Sequence, residues 1–379
     1  MPSESPLLPI LQQEIRARGP IPFARFMELC LYHPEHGCYS SERVKLGAAG
    51  DFYTSAHVAP VFARILARHW ERLWRALGCP ARFDLVELGP GDGSLARELL
   101  SWLRERFPPF FESLRYTAVE RSARLRNQVE ETLRAFRDRV QIVEDFPDPE
   151  RGMGATGICG CIFANEFFDA LPVNLLVWRR GRWRERCVGL AREKLVWREV
   201  APTAPEFVEL AELSFAPTLE RPERDDRPEG WVAEIRPSAG LWMKRIGAAL
   251  IRGEALIIDY GYTHEEWRAG RFPDGSALAY RRHQVVEHLL AHPGDQDLTA
   301  HVNFTELIEA GRSCGLSLNN LDSQARFLLS VGEQDEFADV FADCPSEAER
   351  LRRAQLLKTL ILPQGMGETF RVLVMEKGA

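Results

Sequence analysis

The run Asp84-Leu-Val-Glu-Leu-Gly-Pro-Gly-Asp-Gly-Ser94 constrains this chain more than any other segment. A short apolar stretch ends abruptly in three glycines within five positions, and a helical pattern opens at Ser94. A strand turning this sharply into a helix needs residues without Cβ atoms. Such residues accept φ > 0 and let a ligand approach the backbone. Gly89, Gly91 and Gly93 are therefore expected at the carboxyl end of a strand, where open parallel sheets bind their ligands. Dinucleotide binders space their glycines G-x-G-x-x-G, which seats a pyrophosphate on the helix N-terminus. Here Ser94 holds the last position of that pattern, the spacing is G-x-G-x-G, and Glu87 precedes it.

The rest of the chain alternates in the same rhythm. Strand patterns at 83–88, 115–119, 140–143, 158–164 and 255–258 are interleaved with helical patterns at 58–77, 94–106, 122–136 and up to 248–252. Helices at 304–314, 324–331 and 346–360 and a strand at 370–375 complete it, which predicts an α/β sheet wrapped by helices. Residues 1–60 read as an N-terminal helical cap contributing to the site, with helices at 7–18 and 23–31. Residues 61–379 read as one core with insertions at about 174–237 and 263–303. Three closely spaced strand patterns at 175–179, 183–188 and 194–200 suggest an antiparallel meander in the first insertion. Residues 201–237, rich in Pro and Glu, read as a long surface connection with a short helix.

Composition removes several function classes. The 379 residues include 55 acidic and 48 basic side chains, a net charge of −7, which argues against a nucleic-acid partner. The arginines of 179–186 alternate as the solvated face of a hairpin. No apolar run approaches the roughly 20 residues of a membrane span, and no signal peptide is visible, so a bacterial cytoplasmic protein is expected. Eight cysteines spread over this length make no disulfide framework. Cys159 and Cys161 lack two further ligands at zinc spacing, so no metal is expected.

The residues at successive strand ends suggest the ligand. A G-x-G-x-G turn after Glu87 suits S-adenosylmethionine (SAM), which has no phosphate to cradle. Glu120 ends the second strand, where a carboxylate can accept two ribose hydroxyls. Asp145 and Phe146 end the third, as partners for the adenine amino group and ring. The fourth ends in Asn165, Glu166 and Asp169, and lacks the Asp/Asn-Pro-Pro-aromatic motif of many amide and nucleobase methyltransferases. Two carboxylates beside a methyl donor suit a guanidinium, which arrives charged because its pKa is about 12.5 or more. Planar bidentate pairing would hold it for transfer. His57 is expected to be structural, while His301, beside Asp297 and Thr299, is a candidate for orienting a carboxylate or taking a proton.

Six motifs carry a resemblance over residues 19–375: Gly50-Asp-Phe-Tyr-Thr-Ser55, Glu87-Leu-Gly-Pro-Gly-Asp-Gly93, Val119-Glu-Arg-Ser122, Ala164-Asn-Glu-Phe-Phe-Asp-Ala-Leu-Pro172, Ile258-Asp-Tyr-Gly261 and Asp297-Leu-Thr-Ala-His-Val-Asn-Phe304. The chain resembles the MidA-like SAM-dependent protein arginine methyltransferases, the group that includes the mitochondrial complex I assembly methyltransferase. The resemblance implies a class I, Rossmann-like fold with a seven-stranded, mostly parallel sheet, SAM as donor and S-adenosylhomocysteine as product. It also implies that the 50–55 loop, with Gly50, Asp51 and Thr54, folds over the SAM pocket, and that Asp297 to His301 lies near the substrate mouth. Where the family has Pro-Glu-Ile after Thr-Ser, this chain has Ala56-His57-Val58. The implied partner is a protein with an accessible arginine, with a respiratory complex I subunit as one candidate. A small-molecule methyltransferase and a non-catalytic SAM-binding assembly factor remain the alternatives, with a dehydrogenase further off. The oligomeric state stays open.

Overall fold

The stretch Phe83–Leu88 forms a strand, β1, with all six residues buried, as expected in the middle of a sheet covered on both faces. The structure, a computed structural model, describes residues 5–40, 58–146, 157–215, 227–281 and 284–378. Beside β1 lie β2 (Leu114–Val119), β3 (Val140–Val143), β4 (Ile158–Asn165), β5 (Leu250–Tyr262), β6 (Ser317–Ser323) and β7 (Phe370–Lys377). Their order is β6-β7-β5-β4-β1-β2-β3. Strands β1 to β5 run parallel, whereas β7 is antiparallel to both β5 and β6. Chain order reverses between β1 and β4, and such a switch point opens a crevice at the carboxyl ends of the strands.

Alternation along the strands divides the apolar residues between two faces. Phe370, Val372 and Val374 of β7 join Phe163 of β4 and the helices α1 (Ala59–Ala76) and α2 (Ser94–Arg106) in one large core. Trp70 of α1, with no exposed surface, meets Phe163 edge-on at 5.1 Å. That geometry contributes about 0.5–1.5 kcal/mol beyond the buried area. Met375 points the other way, onto Gly311 and towards Met243.

Two expectations are corrected. The helix expected to end within 248–252 stops at Ala249, and β5 runs 13 residues from Leu250 rather than over 255–258 alone. The strand continues because Gly253, at φ +128°, crosses Gly160 so closely that a Cβ would lie 1.9 Å from the Gly160 carbonyl oxygen. Within 201–237, expected to be a surface connection, Val232–Ile235 is a buried strand. Glu234 hid its apolar character. Its carboxylate is satisfied by the amides of Ser276 (2.7 Å) and Ala277 (2.8 Å).

Helices α1 and α2 and strands β1 to β7, up to Gly261 in β5, belong to a unit of residues 45–168, 241–261 and 307–379. Residues 1–44, 169–240 and 262–306 form a second unit. There the strands Ile21–Pro22, Arg182–Ala191, Asn174–Arg179 and Val232–Ile235 form an antiparallel sheet in that order, and Lys194–Val200 also pairs with Arg182–Ala191. Trp178, Trp183, Trp231 and Trp267 fill its core. A smaller sheet joins Leu278–Arg281 to Gln284–Val286 and Asp297–Thr299.

Candidate functional site

In the first unit, the glycine turn follows β1 directly. Gly89 sits at φ +70°, and a Cβ there would lie 2.9 Å from the Phe167 ring, so only glycine lets that ring cover the turn. Gly91, at φ +59°, has nothing within 4 Å of its Cβ position and leaves open space beside the backbone. Gly93 caps α2 from the left-handed region. Beneath the turn, Glu87 is buried and accepts a hydrogen bond from the Tyr116 hydroxyl of β2. Burial pushes Glu87 up to about 7, against the Tyr116 bond, which favours the carboxylate.

Glu120 follows β2, with its amide on the Val143 carbonyl at 3.0 Å and its Oε1 accepting the Ser122 amide at 2.7 Å. Burial pushes it up to about 7 as well, while the amide and nearby arginines pull the other way. At the end of β3, Asp145 Oδ1 accepts from Arg245 at 2.8 Å and from the Phe146 amide at 2.8 Å. Phe146 is 1% exposed, its ring covered by protein, with Trp242 at 6.2 Å. The half-exposed rings nearby are Trp242 and Phe167, 5.0 Å apart and edge-to-face. Sequence reasoning missed Phe167, Trp242 and Arg245. An aromatic pair in Phe167-Phe168 carries no sign of which ring turns inward.

Past β4, Glu166 takes φ +52°, and its amide donates to the Ile258 carbonyl at 2.9 Å. Left-handed backbone in a non-glycine residue costs about 1–3 kcal/mol and gathers at functional sites. Asn165 Nδ2 lies 3.4 Å from Glu166 Oε1.

In the second unit, the remaining candidates cluster around Asp169. Thr299 Oγ1 donates to Asp169 Oδ2 at 2.7 Å, and the Tyr39 hydroxyl donates to Asp297 Oδ1 at 2.9 Å. Tyr280 lies opposite Asp297 in the strand register, and Tyr32 meets Tyr39 edge-on at 5.5 Å. Burial raises the Tyr39 and Tyr280 phenols, and both Asp169 and Asp297 raise them further. The guanidinium of Arg236, 5% exposed, donates to the carbonyls of Leu171 (3.0 Å), Ala300 (2.8 Å) and His301 (3.2 Å). It thereby ties the two motif segments together. His301 packs edge-on to Phe272 at 4.4 Å. Burial, with Arg271 and Arg236, lowers it to about 4, so the imidazole is neutral near pH 7. Gly50, Asp51, Thr54 and His57 lie outside the described residues.

The donor set fits SAM. The open space at Gly91 would be filled by any Cβ, and the buried carboxylates of Glu87 and Glu120 favour hydroxyl, amine or sulfonium partners over phosphate. Parallel strands, a glycine turn at the switch point and acids at successive strand ends define a SAM-dependent methyltransferase. Residues 65–321 match the family of S-adenosyl-L-methionine-dependent methyltransferases, and the chain belongs to it. It is similar to a Burkholderia thailandensis protein crystallised with S-adenosyl-homocysteine, at 32% identity and TM-score 0.84 over 98% of this chain and 92% of that one. Among named relatives, protein arginine methyltransferase NDUFAF7, mitochondrial, of Rattus norvegicus is 29% identical, covering 99% of this chain and 86% of the relative. The Xenopus laevis protein of the same name is 30% identical over 80% and 69%. The mitochondrial location belongs to those relatives. Among the described residues, no helix of this chain is long and apolar enough to cross a membrane.

The raised Glu120 gives a pH test. Between about 4.5 and about 7 the folded chain keeps a proton that the unfolded chain has released. This group's contribution to stability therefore falls as pH rises through that window. Ribose hydroxyls bonded to Glu120, as the sequence leads one to expect, would favour the carboxylate and draw the pKa back down. Binding of S-adenosylhomocysteine is expected to tighten from roughly pH 6 to 8 with release of a proton, and Glu120→Gln should remove most of that dependence. Calorimetry in two buffers of different ionisation enthalpy measures it; a flat affinity without proton release would contradict the assignment.

Proposed function

We propose that this chain transfers a methyl group from SAM to an arginine side chain of a partner protein in the bacterial cytoplasm. The observation that carries the reading is the carboxylate–tyrosine cluster, in which Asp169 accepts from the Thr299 hydroxyl and Asp297 from the Tyr39 hydroxyl, with Tyr32 and Tyr280 beside them. A guanidinium stays charged in such a site, pairs in its plane with carboxylates and stacks on aromatic faces. The names of the relatives support the same chemistry. We further read the sheet as the class I arrangement.

SAM supplies an electrophilic methyl on a sulfonium. The rest is positioning, and holding reactants in attack geometry is worth effective molarities of about 10⁵–10⁸ M. Gly89, Gly91 and Gly93 admit the donor to the turn, Glu87 and Glu120 hold its polar groups, and Asn165 lines the pocket. Phe146 backs the wall through Trp242, and Asp145 fixes Arg245 over it. Glu166 orients the nucleophilic nitrogen and would accept its proton as the nitrogen–methyl bond forms and the methyl–sulfur bond breaks, with S-adenosylhomocysteine as the leaving group. Within the second unit, Asp169 and Asp297 are the carboxylates suited to a guanidinium, and neutral His301 serves orientation rather than proton uptake.

The test incubates the protein with methyl-labelled SAM and an extract of a host lacking its gene. Label recovered as methylarginine after protein hydrolysis is the expected result. Label confined to the small-molecule fraction would make it a metabolite methyltransferase. Donor binding without any transfer would make it an assembly factor.

A further inference from the structure

The motif Ile258-Asp-Tyr-Gly261 contains a carboxylate with no exposed surface, Asp259. A carboxylate removed from water is costly unless hydrogen bonds compensate it, so its partners show what it is kept for. Asp259 Oδ1 accepts the Tyr260 amide at 2.9 Å, and Oδ2 accepts the amide of Phe168 at 3.0 Å. The second bond leaves β5 and reaches the turn that carries Glu166.

The ladder between β4 and β5 pairs Asn165 with Ile258 and extends one step, to the Glu166 amide on the Ile258 carbonyl at 2.9 Å. At that residue the backbone leaves the strand through φ +52°, a region in which a side chain with a Cβ is strained. Two residues later the Phe168 amide returns to the Asp259 side chain instead of a backbone carbonyl. Between the two anchors lies only Phe167, whose ring rests on Gly89. The bend is thus held on both sides of the residue that strains it.

We infer that Asp259 is a positioning residue, whose carboxylate holds the 165–168 turn so that Glu166 stays in its left-handed conformation and presents its own carboxylate to the transfer site. The inference rests on the reading of Glu166 as the group that orients the nucleophile. Asp259 touches neither substrate nor donor and acts through Glu166.

The test is a double-mutant cycle on the full chain, read by stability and by rate. Thermal unfolding is compared for Asp259→Ala in the natural background and in Glu166→Gly, where glycine takes the left-handed region without strain. A clearly smaller loss of stability in the Glu166→Gly background is expected; equal losses in both would overturn the inference. The rate is label transfer from saturating SAM to extract of the deletion host. Asp259→Ala is expected to lower it roughly 10–100-fold, with the KM for SAM within about threefold, because a misplaced group costs rate rather than donor binding. In the Glu166→Gln background the same change should cost less than about twofold. An undiminished penalty there, beside a clear loss in Glu166→Gln alone, overturns the inference and leaves the catalytic reading standing. An unchanged rate in Glu166→Gln overturns both. If Asp259→Ala does not fold, Asp259→Asn keeps one acceptor oxygen and is measured by the same cycle.

Discussion

Replacing Glu166 with glutamine is expected to lower methyl transfer by roughly 10²–10³-fold, the scale found when one preorganised group aimed at developing charge is removed. The change is nearly isosteric, so the turn keeps its shape, but the amide neither balances a guanidinium nor accepts a proton from it. Affinity for S-adenosylhomocysteine should stay within about threefold, since the lost interaction strengthens only as the methyl moves. Single-turnover transfer and calorimetry on the same preparation separate the two effects. Equal losses in rate and in product affinity would show instead that Glu166 holds the donor.

The second large effect belongs to Glu120. Its carboxylate is buried at the end of β2, and one oxygen is already engaged by the Ser122 amide at 2.7 Å. On the proposed placement of the donor, Glu120→Ala removes the acceptor for the ribose hydroxyls and leaves them unpaired, which is expected to cost about 1–3 kcal/mol, or roughly 5–150-fold in affinity. The loss should appear in SAM and S-adenosylhomocysteine alike, because the ribose is common to both. Undiminished affinity would remove Glu120 from the pocket and unseat the placement of the donor at this sheet edge.

The parts of this site legible in the sequence are those with strong local chemistry. Three glycines within five residues require a turn that rejects side chains, and acids at the ends of apolar runs fall at neighbouring strand ends once the strands pair. The remainder depends on contacts between distant residues. Tyr39 reaches Asp297 across 258 positions, and Thr299 reaches Asp169 across 130, with nothing local to announce either bond. Strand β6, Ser-Leu-Asn-Asn-Leu-Asp-Ser, is polar and half-exposed, so it lacks the alternation that marks a strand, and pairing with β7 alone defines it. The pairing of Ile21 with Val188 ties residues 1–44 to residues 169–240 within the second unit, a bond across 167 positions that nothing local announces. Phe146 shows the limit of reading roles by position. An aromatic at the right strand end was expected to face the ligand, but its ring is covered while Trp242, 96 positions further along the chain, is half-exposed.

Arginine methylation of a protein partner is the central claim, and mass spectrometry of methylarginine in the native host tests it most directly. The host is compared with and without the gene, and after complementation by the natural chain or by Glu166→Gln. The expected result is at least one methylarginine peptide that disappears on deletion, returns with the natural chain and stays absent with Glu166→Gln. An unchanged methylarginine profile across all four strains would contradict it.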